Sequence, residues 1–244
     1  MVLKLKVISL LIIVIPVLYL TGCSSATETD REKNVRYETE KKIVNIEETE
    51  REYIRSSKIR EIDKVNFVFD SEGKPAGSHK ISTLKYNNKG FLTETIIYDD
   101  DGSVKYRFTY DYNKDGVRTR TNRYIDGSLT NYYTYEYNEF GNKTKAYRYN
   151  MNDELQEYYI YHYDDEGNLI EEEWFSSDNK KVYSIENEYD NGMKESSSTY
   201  DENGSLVYEY KFRYDDKGNV IEELQYDYSG EQTGIIQYIY KYYN

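Results

Sequence analysis

Glycines at positions 90, 116, 141, 167, 192 and 218 divide this chain at intervals of 26, 25, 26, 25 and 26 residues. Most follow a tyrosine and an Asn or Asp, as in Tyr112-Asn113-Lys114-Asp115-Gly116, Tyr163-Asp164-Asp165-Glu166-Gly167 and Tyr214-Asp215-Asp216-Lys217-Gly218. Asn or Asp opening a turn, with Gly three residues on, is a preferred way to connect two antiparallel strands. A second set lies between the first: Gly102, Gly127, Asp153, Asn179, Gly204 and Gly230. Asp and Asn are the next-best residues for the left-handed conformation such turns require. Gly73 marks one earlier turn in Phe69-Asp70-Ser71-Glu72-Gly73. A turn every 12 to 14 residues leaves segments of about eight, which is strand length and short for a helix.

Period-two alternation supports the same reading. Tyr106, Phe108, Tyr110 and Tyr112 share one face, and Tyr133, Tyr135 and Tyr137 take the same slots one repeat later. Tyr159, Tyr161 and Tyr163 follow, then Tyr208, Tyr210, Phe212 and Tyr214, and finally Tyr238, Tyr240 and Tyr242. The intervening residues are mostly polar. The other strand type reaches an aromatic eight or so residues after its glycine: Tyr98, Tyr124, Tyr149, Phe175, Tyr200 and Tyr226. The expected fold is all-β, with tandem hairpins of about 25–26 residues per two-strand unit forming a long meander sheet. Its one tyrosine-rich face must be covered, either by the sheet curling on itself or by a partner. The last strand, carrying Tyr238, Tyr240, Tyr242 and Tyr243, is expected to cap the array or to offer a free edge for strand addition.

The units Tyr163-Asp164-Asp165-Glu166-Gly167-Asn168-Leu169 and Tyr214-Asp215-Asp216-Lys217-Gly218-Asn219-Val220 resemble the YD repeats of RHS-type surface proteins. The two-turn unit is also similar to the MORN-like repeats of some bacterial exported proteins. The resemblance covers about three quarters of the chain and implies a β-hairpin fold with a surface role. It brings no catalytic residues. The chain is short beside large RHS proteins and has no appended toxin-like segment, which argues against toxin encapsulation.

The first residues differ in kind. Lys4 and Lys6 precede an apolar run from Val7 to Leu20, broken by Ser9 and Pro16. At about fourteen residues it is short for a membrane span, which needs roughly 20, and it has the form of a signal-peptide core. Leu20-Thr21-Gly22-Cys23 follows and resembles the lipobox of bacterial lipoproteins at all four positions. That resemblance implies cleavage between Gly22 and Cys23 and a diacylglycerol thioether on Cys23, with further acylation by a chain such as palmitate. Several acyl chains at about 0.8 kcal/mol per buried methylene give stable anchoring. The expected organisation is a signal peptide over 1–22, a lipidated cysteine and polar tether over 23–56 with an unassigned segment at 34–55, and a repeat domain over 57–244. Cys23 is the sole cysteine, so the exported part has no disulfide.

Without residues 1–22 the chain has 30 basic and 45 acidic residues, a balance of −15. Phosphate backbones would repel it, so nucleic acid is excluded as a partner. Catalysis finds little support. His79 and His162 are far apart, His162 reads as a strand surface residue, and no nucleophile elbow, zinc spacing or phosphate loop is present. Asp99-Asp100-Asp101-Gly102 and Asp164-Asp165-Glu166-Gly167 offer oxygen ligands, but calcium needs six to eight and turn formation accounts for them. No metal or cofactor is expected. The function expected is a lipid-anchored, outward-facing cell-envelope module that binds or scaffolds proteins without catalysis. Tyr158-Tyr159-Ile160-Tyr161-His162-Tyr163-Asp164 also resembles choline- or glucan-binding repeats, so a glycan-binding face at Tyr135, Tyr161, Tyr210 and Tyr240 is one alternative and an immunity-type lipoprotein another. The turn glycines expected to shape the array are Gly90, Gly102, Gly116, Gly127, Gly141, Gly167, Gly192, Gly204, Gly218 and Gly230.

Overall fold

A computed structural model describes residues 45–69 and 74–244. The lipobox with Gly22 and Cys23, the signal peptide, most of the tether and the turn at Gly73 lie outside the described residues. The described residues form one helix, α1 (Ile46–Ser56), and fourteen strands. The strands are β1 (Ile59–Phe69), β2 (Pro75–Tyr86), β3 (Leu92–Tyr98), β4 (Val104–Tyr112), β5 (Arg118–Ile125), β6 (Ser128–Tyr137) and β7 (Lys143–Asn150). They continue with β8 (Leu155–Tyr163), β9 (Leu169–Ser176), β10 (Lys181–Asp190), β11 (Met193–Asp201), β12 (Leu206–Tyr214), β13 (Val220–Asp227) and β14 (Gln232–Tyr242). Each strand pairs antiparallel with its neighbours in sequence, and β14 closes on β1 to make a barrel.

The turns explain both the hairpins and the closure. All ten expected glycines stand at positive φ, between 75° and 87°, while Asp153 and Asn179 take 62° and 64°. At Asn87–Phe91 the Asn87 side-chain oxygen accepts the Lys89 and Phe91 backbone N–H groups at 2.9 and 3.1 Å. Gly90 N donates to Asn87 O at 2.9 Å. Asp164 repeats the arrangement with Glu166 and Asn168, both at 2.8 Å. Asn191 (φ 50°) and Gly192, like Asp126 (φ 48°) and Gly127, form two-residue turns in which both central residues are left-handed. Registers shift at the end of nearly every hairpin, as between Lys85 and Tyr86 or Glu136 and Tyr137. One extra residue per hairpin bends and twists the sheet in the same sense each time, which brings its ends together.

Closure decides between the alternatives left by the sequence. The meander curls on itself into a closed barrel and is not open, and its last strand offers no free edge for strand addition: Tyr240 pairs with Ile62 and Tyr238 with Lys64 in the β14–β1 ladder. The unassigned segment contains α1. Asn45 caps that helix by accepting the Glu48 N–H at 3.0 Å, Glu47 and Glu48 occupy the first turn, and Arg55 the last, as the helix dipole favours. The folded unit therefore begins before residue 57.

The aromatic pattern is also two-faced rather than one-faced. Tyr133, Tyr159 and Tyr183 are buried inside, whereas the second aromatic set lines the outer wall. There Tyr158 stacks on Phe175 at 5.0 Å and Tyr132 on Tyr149 at 5.4 Å. Cations lie over others of that set: Arg107 over Tyr124 at 5.3 Å and Lys211 over Tyr226 at 5.5 Å. The rest of the outer wall is ionic. Lys85 bonds Glu94 at 2.6 Å, Arg213 bonds Glu222 at 3.1 Å, and Lys181 bonds Glu173 at 2.9 Å. Exposed pairs of this kind contribute little stability. Each Lys or Arg on a lipid-facing wall would cost roughly 2–4 kcal/mol at the bilayer midplane, so this wall is built for water. Among the described residues no helix is long and apolar enough to cross a membrane.

Candidate functional site

The barrel has two rims that the topology keeps apart. One carries the turns 87–91, 113–117, 138–142, 164–168, 191–192 and 215–219, together with the start of β1 and the end of β14. On this rim a tyrosine of each even strand from β4 to β14 ties the wall to itself. The hydroxyls of Tyr112, Tyr163, Tyr189, Tyr214 and Tyr240 donate to the carbonyls of Leu92, Lys143, Leu169, Lys194 and Val220, each twenty residues back, at 2.6–3.0 Å. Tyr137 does the same to Arg118 at 2.6 Å. These bonds give a reason for Tyr rather than Phe at that slot. Tyr86 departs from the pattern: its buried hydroxyl has no partner, and its carbonyl accepts instead from Tyr243 at 2.5 Å.

Helix α1 lies across this rim. Ile46 N donates to Asn142 Oδ1 at 3.0 Å, Arg51 Nη1 to Gly116 O at 3.0 Å, and the Tyr53 hydroxyl to Asn219 Oδ1. Ile54, fully buried, enters a cluster with Ile59, Ile62, Leu84, Tyr86 and Leu92. Glu47 sits between Lys143 at 3.4 Å and Arg118 at 3.9 Å. Burial opposes its charge, but those two cations hold its carboxyl below the ordinary value. Glu50, one turn on, is lifted to about 7, chiefly by burial. Glu47, Glu50, Tyr86 and Arg118 help to line a cavity of about 20 Å³ beneath the helix, room for about one water molecule.

Deeper in, the wall is aromatic and ionic together. Trp174 stacks on Tyr159 at 6.2 Å and meets Tyr183 edge-on at 4.6 Å. Lys64 Nζ donates to Glu223 Oε1 at 2.9 Å, and Arg148 to Glu157 Oε2 at 2.6 Å. Lys194, 1% exposed, donates to Asn187 Oδ1 at 2.6 Å, and burial lowers its ammonium to about 7. Glu172, also 1% exposed, is raised to about 7 by burial.

The four tyrosines expected to form a binding face are brought to this interior, not to the outer surface. Tyr135 and Tyr161 pack against the Tyr133–Ala146–Tyr159 cluster under the Lys143 ammonium, which lies 4.6 and 5.3 Å from their ring centres. Tyr210 contacts Tyr208 at 5.3 Å, and Tyr240 packs beside Ile54 and Ile62. Burial pushes the Tyr161 and Tyr210 hydroxyls well above the usual range. His162 lies on the outer wall 3.2 Å from Glu173, and His79 lies 3.5 Å from Asp100. Turn carboxylates such as Asp201 bind backbone N–H groups, here those of Asn203 and Ser205 at 2.9 and 2.8 Å. No group of three or more His, Cys, Asp or Glu among the described residues is placed to hold a metal ion. Glu172, Lys194, Trp174 and Glu50 were not expected from the sequence. Alternation extended through Glu171-Glu172-Glu173-Trp174 would have placed Glu172 and Trp174 inside.

The opposite rim is different. Its described turns, 99–103, 126–127, 150–154, 177–180, 201–205 and 227–231, contain eleven Asp and Glu residues and one cation, Lys180. The Asp100 side chain is 88% exposed. Met151 and Tyr228 stand out among these acids, 51% and 76% exposed.

No protein-family model and no curated protein matches the chain. Solved structures of related outline include a porin-like protein from Bacteroides uniformis, with 14% identity and a TM-score of 0.42 over 75% of this chain and 98% of that one. They also include a Photorhabdus luminescens Tc holotoxin pore, with 15% identity and a TM-score of 0.34 over 70% of this chain and 9% of that one. A third is a putative outer membrane lipoprotein-sorting protein domain from Vibrio parahaemolyticus, with 8% identity and a TM-score of 0.32 over 80% and 93%.

Proposed function

We propose that this chain is a non-catalytic binding module of the cell envelope, anchored by lipid on Cys23, that docks a basic protein partner on its acidic rim. The observation that carries the reading is the asymmetry of the rims: α1 covers one, while eleven carboxylates and exposed Met151 and Tyr228 crown the other. The chain enters the fold at Asn45, on the covered rim, so an anchor at Cys23 leaves the acidic rim facing away from the membrane. That orientation also keeps the acids from anionic headgroups. Exposed apolar groups set in a ring of like charge suit a partner whose basic surface is steered in and then packed.

The test is capture from the parent envelope with the lipidated chain, against a variant carrying Asp100→Asn, Glu202→Gln and Glu231→Gln. A partner held at low salt, released toward 0.5 M salt and lost by the variant supports the proposal. A partner retained equally by both proteins, or none enriched over the variant, overturns it. Cys23→Ser tests the anchor: a variant that stays with membranes at its full-length mass defeats that part.

A further inference from the structure

The cavity beneath α1 gathers polar groups that the protein itself leaves unmatched. Its walls come from α1, the ends of β2 and β4, the starts of β3 and β5, and the turns between them. Several of its polar groups are satisfied. The Tyr112 hydroxyl donates to Leu92 O at 2.9 Å, Arg51 Nη1 donates to Gly116 O at 3.0 Å, and Glu47 lies between Lys143 and Arg118. Three are not. The hydroxyl of Tyr86, a residue 3% exposed, has no partner, and neither has Arg118 Nε. The Glu50 carboxylate meets Arg118, Lys143 and Glu47 through charge alone and takes no hydrogen bond among the described residues. Buried polar atoms are ordinarily satisfied, so each of these groups asks for an explanation.

Two donors and one acceptor around a single small space narrow what can occupy it. About 20 Å³ admits one molecule of the size of water and nothing larger. Two carboxylates, Glu47 and Glu50, and two guanidiniums, Arg51 and Arg118, line the space, so an ion of either sign meets as many like charges as opposite ones. The occupant has to accept from Tyr86 and Arg118 and donate to Glu50, and water does both. We propose that this cavity is a binding site for one structural water molecule, which accepts hydrogen bonds from Tyr86 Oη and Arg118 Nε and donates to the Glu50 carboxylate. Glu50 and Ile54, four residues apart on one face of α1, then seat the helix in two ways. Ile54 is seated dry, in the apolar cluster with Ile59 and Leu84. Glu50 is seated wet, which spares a carboxylate under the helix the cost of burial without a partner. The direct hydrogen bonds of α1 reach the turns at Gly116, Asn142 and Asn219; this one reaches the wall itself, at β2 and β5. The site depends neither on the lipid anchor nor on the acidic rim.

The sign of one substitution tests the site. Tyr86→Phe keeps the ring and removes the hydroxyl. A hydroxyl buried with no partner weakens the fold, so its removal would raise the melting temperature; a hydroxyl bonded to water supports the fold, and its removal lowers it. In thermal melts of the full chain in detergent, Tyr86→Phe should melt about 2–4 °C below the parent. The same substitution made in a Glu50→Leu chain should cost less than half as much, because the water has lost its acceptor. A crystal structure of the chain should show density for a water within about 3.2 Å of both Tyr86 Oη and Arg118 Nε. A Tyr86→Phe melting temperature equal to the parent's or above it, an undiminished loss in the Glu50→Leu chain, or no water density between the two atoms overturns the proposal. If Glu50→Leu does not fold, as circular dichroism would tell, the single substitution and the density decide.

Discussion

The two rims of this barrel are built from the same repeat, with the same Asx-led turns and left-handed glycines, yet they have opposite fates. Under α1 the turns are structural. A Cβ on Gly90 would collide with the Arg51 carbonyl oxygen, and one on Gly116 would come within 2.6 Å of Arg51 Nη1. On the far rim nothing lies within 4 Å of a Cβ on Gly102, Gly127, Gly204 or Gly230. The repeat thus supplies the turn, and the neighbour decides whether the turn is a contact or a display. A glycine on one rim answers to a helix as well as to its own backbone; on the other it answers to backbone alone.

The comparison can be broken most forcefully at Ile54. Its replacement by Ala removes the one fully buried apolar side chain of α1 and should cost about 2–5 kcal/mol in a denaturant series. A loss below 1 kcal/mol would mean that the helix is not integral to the rim. Gly90→Ala and Gly230→Ala sharpen the contrast. Both place a Cβ at φ near 80°, a strain of about 1–2 kcal/mol, and that should be the whole effect at Gly230. Gly90→Ala should exceed it by at least 1 kcal/mol through displacement of α1. Equal losses would erase the distinction between the rims.

Glu50 offers a pH-dependent version. Its folded pKa, about 7, lies above the ordinary 4.5, so the folded chain holds the proton more tightly than the unfolded one. Its burden on stability is absent below about pH 4.5, grows as pH rises toward 7, and is constant beyond. The groups acting on it are Arg118, Lys143 and Glu47, with Tyr86 beside them. Glu50→Gln should therefore gain stability over the parent above pH 7, on the order of 1–2 kcal/mol once solvent reaching the helix is allowed for. The gain should vanish near pH 4, and a pH-independent difference between the two melting curves would count against it. Tyr163→Phe removes one wall tie and should cost about 1 kcal/mol; no change would show that the hydroxyl bond is exchanged for water at no loss. Smallest of all, the triple exchange at Asp100, Glu202 and Glu231 should leave stability within about 0.5 kcal/mol, although it is the change expected to abolish docking. A large fall in melting temperature would show that the acidic rim has a structural task.

Much of this was legible from local chemistry. Asx-to-glycine spacing located the turns, and alternation put Tyr159, Tyr161 and Tyr163 on one face. What local chemistry does not encode is where the ends meet. Each hairpin constrains only its neighbours, whereas the closing ladder joins Lys64 to Tyr238 across the whole repeat array. Helix α1 was hard to read for a different reason. It docks largely through polar groups, Asn45, Glu47, Arg51 and Tyr53, and its one fully buried apolar residue is Ile54, so the face it buries is short, and the charged residues interleaved with it read equally well as a solvated segment. Glu172 was concealed among three consecutive glutamates, where the outer two belong to the other face.

Helix α1 also has a bearing on copy number. Hairpin arrays lengthen and shorten by whole units, and an open array would tolerate that at either end. Here eleven residues of helix, about 16 Å, bridge a mouth whose width follows from the strand count. Deleting one unit would take roughly 10 Å from the circumference and about 3 Å from the diameter. The hydrogen bonds from Ile46 to Asn142 and from Tyr53 to Asn219 would then no longer both be in reach. The helix acts as a gauge, and an array of the wrong length is left uncapped.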